Sequence, residues 1–343
     1  MKIAQLVSNL NNVSVNANNA IYSHVGSLSN ELINKGHDVS LFAAGESETR
    51  AKLFSVYPKA LKSDPNIDER QIKHYTNLLI SKCFSQANDF DLIHSHFSLL
   101  SSFYCGFVKT PTLISIHSPI DDQLKPFLKE FKNLRYISFS YAQRKLMPEL
   151  NWVANIYHGV DTNLFPYNLK PKDYILYLGR VTEDKGVHLA IEAAKRAGVQ
   201  LIIAGKTYST EGYWHAMIES NIDGKTVRYV GEQSMEGKIE LIQNAKALIF
   251  PTQCNEVFGY VMIEAMSCGT PVIAWNNGSV PEVIKHGVSG FIVNSVDEMV
   301  TAINSINEID RANCRQRAVD LFSIEKMVSG YERVYNKALS NIC

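Results

Sequence analysis

The stretch Glu256-Val-Phe-Gly-Tyr-Val-Met-Ile-Glu264, running on through Ala265-Met-Ser-Cys-Gly-Thr-Pro-Val-Ile273, decides the fold. Ahead of it the apolar run Ala247 to Phe250 reads as a buried strand, which Pro251 and Thr252 end. Glu256 then falls on a loop, Phe258-Gly259 open a short helix, and Glu264 lies more than a turn inside that helix. Pro271 to Ala274 reads as the next strand. This order puts one carboxylate at the carboxyl edge of a sheet, beside the bare N–H groups of a helix start. Ligands of open α/β sheets bind at that edge, and a helix N-terminus there attracts phosphate. The spacing suits a ligand anionic at one end and rich in hydroxyls at the other, and a nucleotide sugar is such a ligand.

At 343 residues the chain is too long for one ordinary core, so two domains are expected. Lys plus Arg and Asp plus Glu both number 34, so the formal net charge is zero. That balance gives no electrostatic case for nucleic acid or for an anionic membrane. The six cysteines are scattered, without a CxxC pair or zinc spacing, and read as reduced thiols of a cytoplasmic protein. Lys2-Ile-Ala-Gln-Leu-Val7 is a short strand rather than a signal peptide. No apolar run is long enough to span a bilayer, so any membrane contact is expected to be peripheral, at the inner face.

Outward from the deciding stretch, a strand–helix rhythm fills both halves. Strands are expected at Ile3 to Val7, Val39 to Ala43, Leu92 to His94, Leu113 to Ile116, Tyr136 to Phe139 and Val153 to Ile156. A helix near Ile21 to Lys35 ends at Gly36, and Ser47 to Asn77 reads as irregular surface. Gly159, Pro166, Asn168 and Pro171 punctuate a boundary. The rhythm restarts with strands at Tyr174 to Leu178, Leu201 to Ala204, Val227 to Val230, Ala247 to Phe250 and Pro271 to Ala274. Helices over Gly186 to Ala197 and Met235 to Asn244 lie between them. The last stretch, Ile324 to Leu339, reads as one amphipathic helix with Met327, Tyr331, Val334 and Tyr335 on one face. The expected fold class is α/β, two doubly wound domains of parallel sheet facing each other across a cleft. Their bounds are 1–158 and 159–323, followed by a C-terminal helix over 324–343.

The order of these fragments resembles the retaining GT-B glycosyltransferases, specifically glycosyltransferase family 4. Ile156-Tyr-His-Gly-Val-Asp161 with Phe165 is similar to the family's interdomain turn. Tyr177-Leu-Gly-Arg180, followed by Lys185-Gly186, resembles its diphosphate grip, and Glu256 to Glu264 its paired-glutamate motif. Gly287-Val-Ser-Gly-Phe291 resembles its late turn. Lys35-Gly-His-Asp-Val39, Asp91-Leu-Ile-His-Ser-His96 and Ser115-Ile-His117 are also similar to family segments. One position departs. The family carries a glycine pair in the first strand–helix loop, where this chain has Asn16-Ala-Asn-Asn-Ala20. Asparagine tolerates positive φ better than most residues, so the loop shape is expected to survive. Asn18 and Asn19 are the candidates there for acceptor or phosphate contacts.

The resemblance implies roles that the side-chain chemistry supports. Arg180 offers a planar fork of donors matched to phosphate oxygens, and Lys185 adds a compact charge one loop away. Fixed cations gain most where charge develops on a leaving diphosphate. Glu256 would accept hydrogen bonds from sugar hydroxyls, with the backbone of Phe258, Gly259 and Tyr260 at the sugar or β-phosphate. Glu264 would take the ribose, and Gly179, Gly205 and Gly231 complete the donor-binding set. His117 would reach the donor sugar. The plain alternatives are a solvated Arg180 and Lys185, a loop carboxylate held by a helix dipole at Glu256, and a solvent-facing Glu264. His94 and His96 share one face of a strand, but no acidic third ligand lies nearby, so they read as support for the strand end. No metal and no cofactor are expected, since the two cations replace a divalent ion.

Lys125 to Arg135 interleaves four cations with Phe127, Leu128 and Phe131. It reads as a surface helix with Phe127 and Phe131 in the core, in preference to a membrane-surface helix. The expected function is a retaining hexosyl transfer from a nucleotide sugar, UDP-linked, to a glycan, a lipid-linked glycan or a small molecule. An epimerase or hydrolase on the same fold, or a non-catalytic nucleotide-sugar-binding partner protein, stays open. A dinucleotide dehydrogenase fits worst, because no G-x-G-x-x-G follows the first strand.

Overall fold

The computed structural model describes residues 1–340 except 18, 98 and 209–211. It divides into two compact units, Met1–His158 joined by the chain from Ile324 onward, and Gly159–Ser323.

The first unit is built on seven parallel strands: β1 Lys2–Leu6, β2 Asp38–Phe42, β3 Lys52–Phe54, β4 Leu92–Ser95, β5 Thr112–Ser115, β6 Arg135–Ser138 and β7 Trp152–Asn155. Their order in the sheet is β3-β2-β1-β4-β5-β6-β7. The order reverses between β1 and β4, which makes the ends of those strands a topological switch point. Strands buried on both faces read as near-continuous apolar runs, and β1 is buried on both faces with Gln5 as the polar interruption. Ile3 and Val7 join the cluster under the helices Ala20–Asn34 and Ile324–Ser340, while Ala4 and Leu6 join a second cluster with Leu79, Ile80 and Phe84 on the opposite face. Met327, Val328, Tyr331 and Tyr335 of the final helix are all buried in the first cluster.

Local chemistry sets the helix limits. Asn19 caps the first helix by accepting from the Ile21 N–H at 3.1 Å. At its other end the N–H of Gly36 bonds to the Ile33 carbonyl at 2.9 Å and that of His37 to Leu32 at 3.0 Å. That pair of bonds is a Schellman closure. The segment read as irregular between Ser47 and Asn77 is instead ordered. It contains β3 and the start of a helix over Glu69–Ser85, opened by a capping box between Asp68 and Gln71. Phe127 is also a correction: it is 52% exposed, while Leu128 is the fully buried residue of the six-residue helix Lys125–Glu130. Phe131, half-buried, packs edge-on against Phe103 at 5.1 Å rather than entering the core.

The second unit repeats the plan with β8 Tyr174–Leu178, β9 Gln200–Ala204, β10 Val227–Tyr229, β11 Ala247–Phe250, β12 Val272–Trp275 and β13 Gly290–Val293. The six are parallel, in the order β10-β9-β8-β11-β12-β13, so its switch point lies between β8 and β11. β13 replaces part of what reads as a turn over Gly287 to Phe291. No described helix is long and apolar enough to cross a membrane. The five described cysteines are all free thiols.

Candidate active site

In the second unit the predicted residues gather at the switch point. β8 ends into Gly179-Arg180, and β11 ends into the loop that carries Glu256. The N–H groups of Gln253 and Cys254 both donate to the Asp184 carbonyl, at 2.8 and 3.3 Å, and tie these two loops together, while the N–H of Ser279, beyond β12, donates to the Glu256 carbonyl at 3.1 Å. The Ser279 hydroxyl donates to the Phe258 carbonyl at 2.8 Å, and Phe258 itself is buried. The carboxylate of Glu256 is therefore carried on a braced loop rather than a free one.

Lys185 Nζ donates to Glu256 Oε2 at 2.5 Å and lies 3.5 Å from Cys254 Sγ. Burial works against the ammonium, but the charge and hydrogen bond of Glu256 outweigh it and raise the Lys185 pKa. Lys185 thus stays charged around neutral pH. Both side chains are largely covered, so each neutralises what would otherwise be a costly, half-desolvated charge. Arg180 differs: its side chain is exposed and forms no ion pair among the described residues. The Tyr177 hydroxyl, buried and with its pKa pushed well up by that burial, donates to the Arg180 carbonyl at 2.6 Å and fixes the backbone there.

Gly259 caps the helix Tyr260–Ser267 with φ 79°, a left-handed conformation that favours glycine, and offers no side-chain cap. The positive end of the helix lies immediately after the Glu256 loop. The Tyr260 hydroxyl donates to the Gly159 carbonyl at 2.8 Å. One turn further on, Glu264 is 5% exposed, which removes the solvent-facing alternative. Lys238 of the helix Met235–Asn244 donates to Glu264 Oε1 at 2.6 Å. Lys238 was not foreseen. It lies 26 positions away on another helix, and no spacing rule links the two.

The backbone links the glycines that follow β8, β9 and β10. Gly179 bonds through its N–H to Ala204, and Gly205 through its N–H to Gly231. A Cβ on Gly205 would lie 1.8 Å from the Gly179 carbonyl oxygen, so the loops after β8 and β9 approach too closely for any side chain.

In the first unit, His117 follows β5 and His96 follows β4. His117 Nε2 and His96 Nδ1 are 2.8 Å apart. His24, His94 and His158 complete a buried cluster with them, His158 stacked on Phe139 at 3.9 Å. Burial, reinforced for four of them by neighbouring imidazoles, holds all five histidines well below the ordinary range, His24 down to about 3. The cluster is neutral around physiological pH. Asn18 lies outside the described residues. Asn19 has φ −92°, and its side-chain oxygen is spent on the helix cap, so it adopts no left-handed turn.

Comparison with known proteins adds the following. Residues 22–166 match the family model described as Glycosyltransferase Family 4, and residues 161–320 match that of Glycosyl transferases group 1. An uncharacterized glycosyltransferase of Methanocaldococcus jannaschii is 25% identical over 75% of this chain and 78% of its own. Among solved structures, sucrose-phosphate synthase of Thermosynechococcus elongatus superposes with a TM-score of 0.79 at 20% identity, covering 99% of both chains. Anabaena HepE, solved with UDP and glucose, gives a TM-score of 0.75 at 19% identity, covering 98% of this chain and 100% of its own.

Proposed function

We propose that this chain, which belongs to the GT-B glycosyltransferases of group 1 and family 4, moves a hexosyl unit from a UDP-linked donor to an acceptor hydroxyl with retention of configuration. The observation that carries the reading is the set of groups around Lys185 and Glu256. A free guanidinium at Arg180, an ammonium kept charged by Glu256 and the positive end of a helix lie around one switch point. These are the groups a departing diphosphate needs, and they supply its counter-charge without a divalent ion. UDP enters the reading through the Anabaena neighbour solved with UDP and glucose.

In this reading Glu256 turns its oxygens to sugar hydroxyls once the donor phosphates draw on Lys185. Glu264, oriented by Lys238, takes the ribose. His117 meets the sugar. The backbone around Phe258 to Tyr260, with Gly179, Gly205 and Gly231, lets the donor approach the main chain closely. The leaving diphosphate itself accepts the acceptor's proton on the face from which it departs, so the new bond forms on that same face. The acceptor class stays a hydroxyl compound: a glycan, a lipid-linked glycan or a small molecule.

The test is a donor screen. The protein is incubated in EDTA with UDP-, GDP- and ADP-hexoses, with and without acceptors from a cell extract, and nucleoside diphosphate release is measured. Acceptor-dependent release of UDP, with a product whose anomeric NMR coupling matches the donor, is the expected result. An inverted anomer, or release of a different nucleotide in preference to UDP, contradicts it.

A further inference from the structure

Gln5 lies in the middle of β1, between Ala4 and Leu6, and is fully buried. An amide in that position is costly unless both of its ends are bonded. Both are. Gln5 Oε1 lies 2.9 Å from His96 Nε2, and Gln5 Nε2 donates to the Tyr335 hydroxyl at 3.2 Å.

These two bonds fix the direction of a longer chain. An amide oxygen only accepts, so His96 carries its proton on Nε2. A neutral imidazole has one N–H, and His96 is held neutral by its burial and by the histidines around it. Its Nδ1 is therefore bare. The 2.8 Å contact between that Nδ1 and His117 Nε2 then requires His117 to supply the hydrogen. In the other direction the Tyr335 hydroxyl, already accepting from Gln5, donates to His94 Nδ1 at 2.7 Å. His94 in turn donates from Nε2 to Ser115 Oγ at 2.8 Å. With the Gln5 oxygen toward His96 and its nitrogen toward Tyr335, each hydrogen has one place, and the polarity runs unbroken from His117 to Ser115. No hydrogen bond from the described residues reaches His117 Nδ1, and His117 is the half-buried member of the chain.

We propose that His96 and Gln5 are positioning residues that lock His117 in the tautomer protonated at Nε2, so that it presents a bare Nδ1 which accepts a hydrogen bond from a donor-sugar hydroxyl. The role of the sugar rests on the glycosyl-transfer reading; the tautomer does not. It follows that His117 delivers no proton to the leaving group. It selects for a donor that has a hydroxyl at the matching position, because a deoxy analogue leaves Nδ1 unpaired.

Long-range proton–nitrogen NMR on the full-length protein with 15N-labelled histidine, in EDTA near pH 7.5, reads the tautomer directly. A pyrrole-type Nε2 and a pyridine-type Nδ1 for His117 are expected. His96→Asn keeps an acceptor oxygen close to where Nδ1 lay, so His117 should keep its tautomer. Turnover of a UDP-hexose, as kcat/KM, should stay within about threefold of wild type. His96→Leu removes the acceptor, should mix the tautomers, and should lower kcat/KM about tenfold while leaving UDP affinity unchanged. If His96→Leu fails to fold, the wild-type and His96→Asn spectra still decide. A His117 protonated at Nδ1 in the wild type, or His96→Asn as impaired as His96→Leu, overturns the proposal. So does a joint shift of His24, His96 and His117 on adding equimolar zinc in EDTA-free buffer, because their nitrogens lie within 4.8 Å of one another and would then be metal ligands. Should the tautomer be as stated but no nucleotide sugar be turned over, the transfer reading fails while the positioning by His96 and Gln5 stands.

Discussion

Lys185 and Glu256 neutralise each other across 2.5 Å, and that pairing sets what each can do when a ligand arrives. In the proposed reaction a diphosphate would compete with Glu256 for the ammonium, and the carboxylate so released would accept sugar hydroxyls. Arg180 forms no ion pair among the described residues, so in the same proposal its guanidinium would meet the charge of the transition state. Arg180→Ala is expected to lower turnover at saturating donor about a hundred- to a thousand-fold, with a smaller loss of UDP affinity. Steady-state kinetics beside calorimetry separates the two effects. Glu264→Ala should weaken UDP itself, through the ribose, and leave Lys238 as an unpaired cation. Glu256→Ala should impair sugar turnover and leave free UDP binding largely intact. The reverse pattern in this pair of variants would sink the division of roles between the two glutamates.

The elements show where the sequence was legible and where it was not. Strands β8 and β11 announced themselves because parallel strands buried on both faces leave uninterrupted apolar runs, and β1 was legible despite the buried Gln5 in its middle. The motif from Glu256 to Glu264 was legible because its strand, loop and helix are adjacent in the chain. The segment before Asn77 was misread because β3 has only three residues, none of them buried. The helix Glu69–Ser85 buries only a narrow face, on Thr76, Leu79, Ile80, Cys83 and Phe84. Its capping box, Asp68 with Gln71, was the available signal. Asp68→Ala should cost about 1 kcal/mol of stability, read as a lower urea midpoint with the slope unchanged. Phe127 was misplaced because a helix of six residues turns only one side chain, Leu128, fully inward. The partnerships of Glu264 with Lys238, and of Gln5 with His96 and Tyr335, join residues far apart in the chain. Only the fold brings them together.

At the scale of the molecule, the first unit is made of two distant pieces of chain, and its core closes only with the final helix. Ending the chain at Ser323 should therefore unfold that unit, because it removes Tyr331 and Tyr335 and exposes the face of β1 that carries Ile3, Gln5 and Val7. The buried histidines add a pH dependence to the same unit. Their pKa values are depressed in the folded state, from 6.5 to about 3 for His24. The unfolded chain therefore binds more protons as pH falls below about 6.5, and stability declines there while remaining flat above. Each buried histidine contributes up to about 1.4 kcal/mol per pH unit below that point. Thermal melts at pH 7.5 and 5.5 should differ clearly, and equal midpoints would contradict a neutral cluster. The most direct single test of the central claim is calorimetric titration of the full-length protein with UDP in EDTA. Saturable one-to-one binding, retained in Glu256→Ala and weakened in Glu264→Ala, is the expected result. Binding that appears only after a divalent metal is added, or none at all, would contradict a donor site built from Arg180, Lys185 and a helix N-terminus.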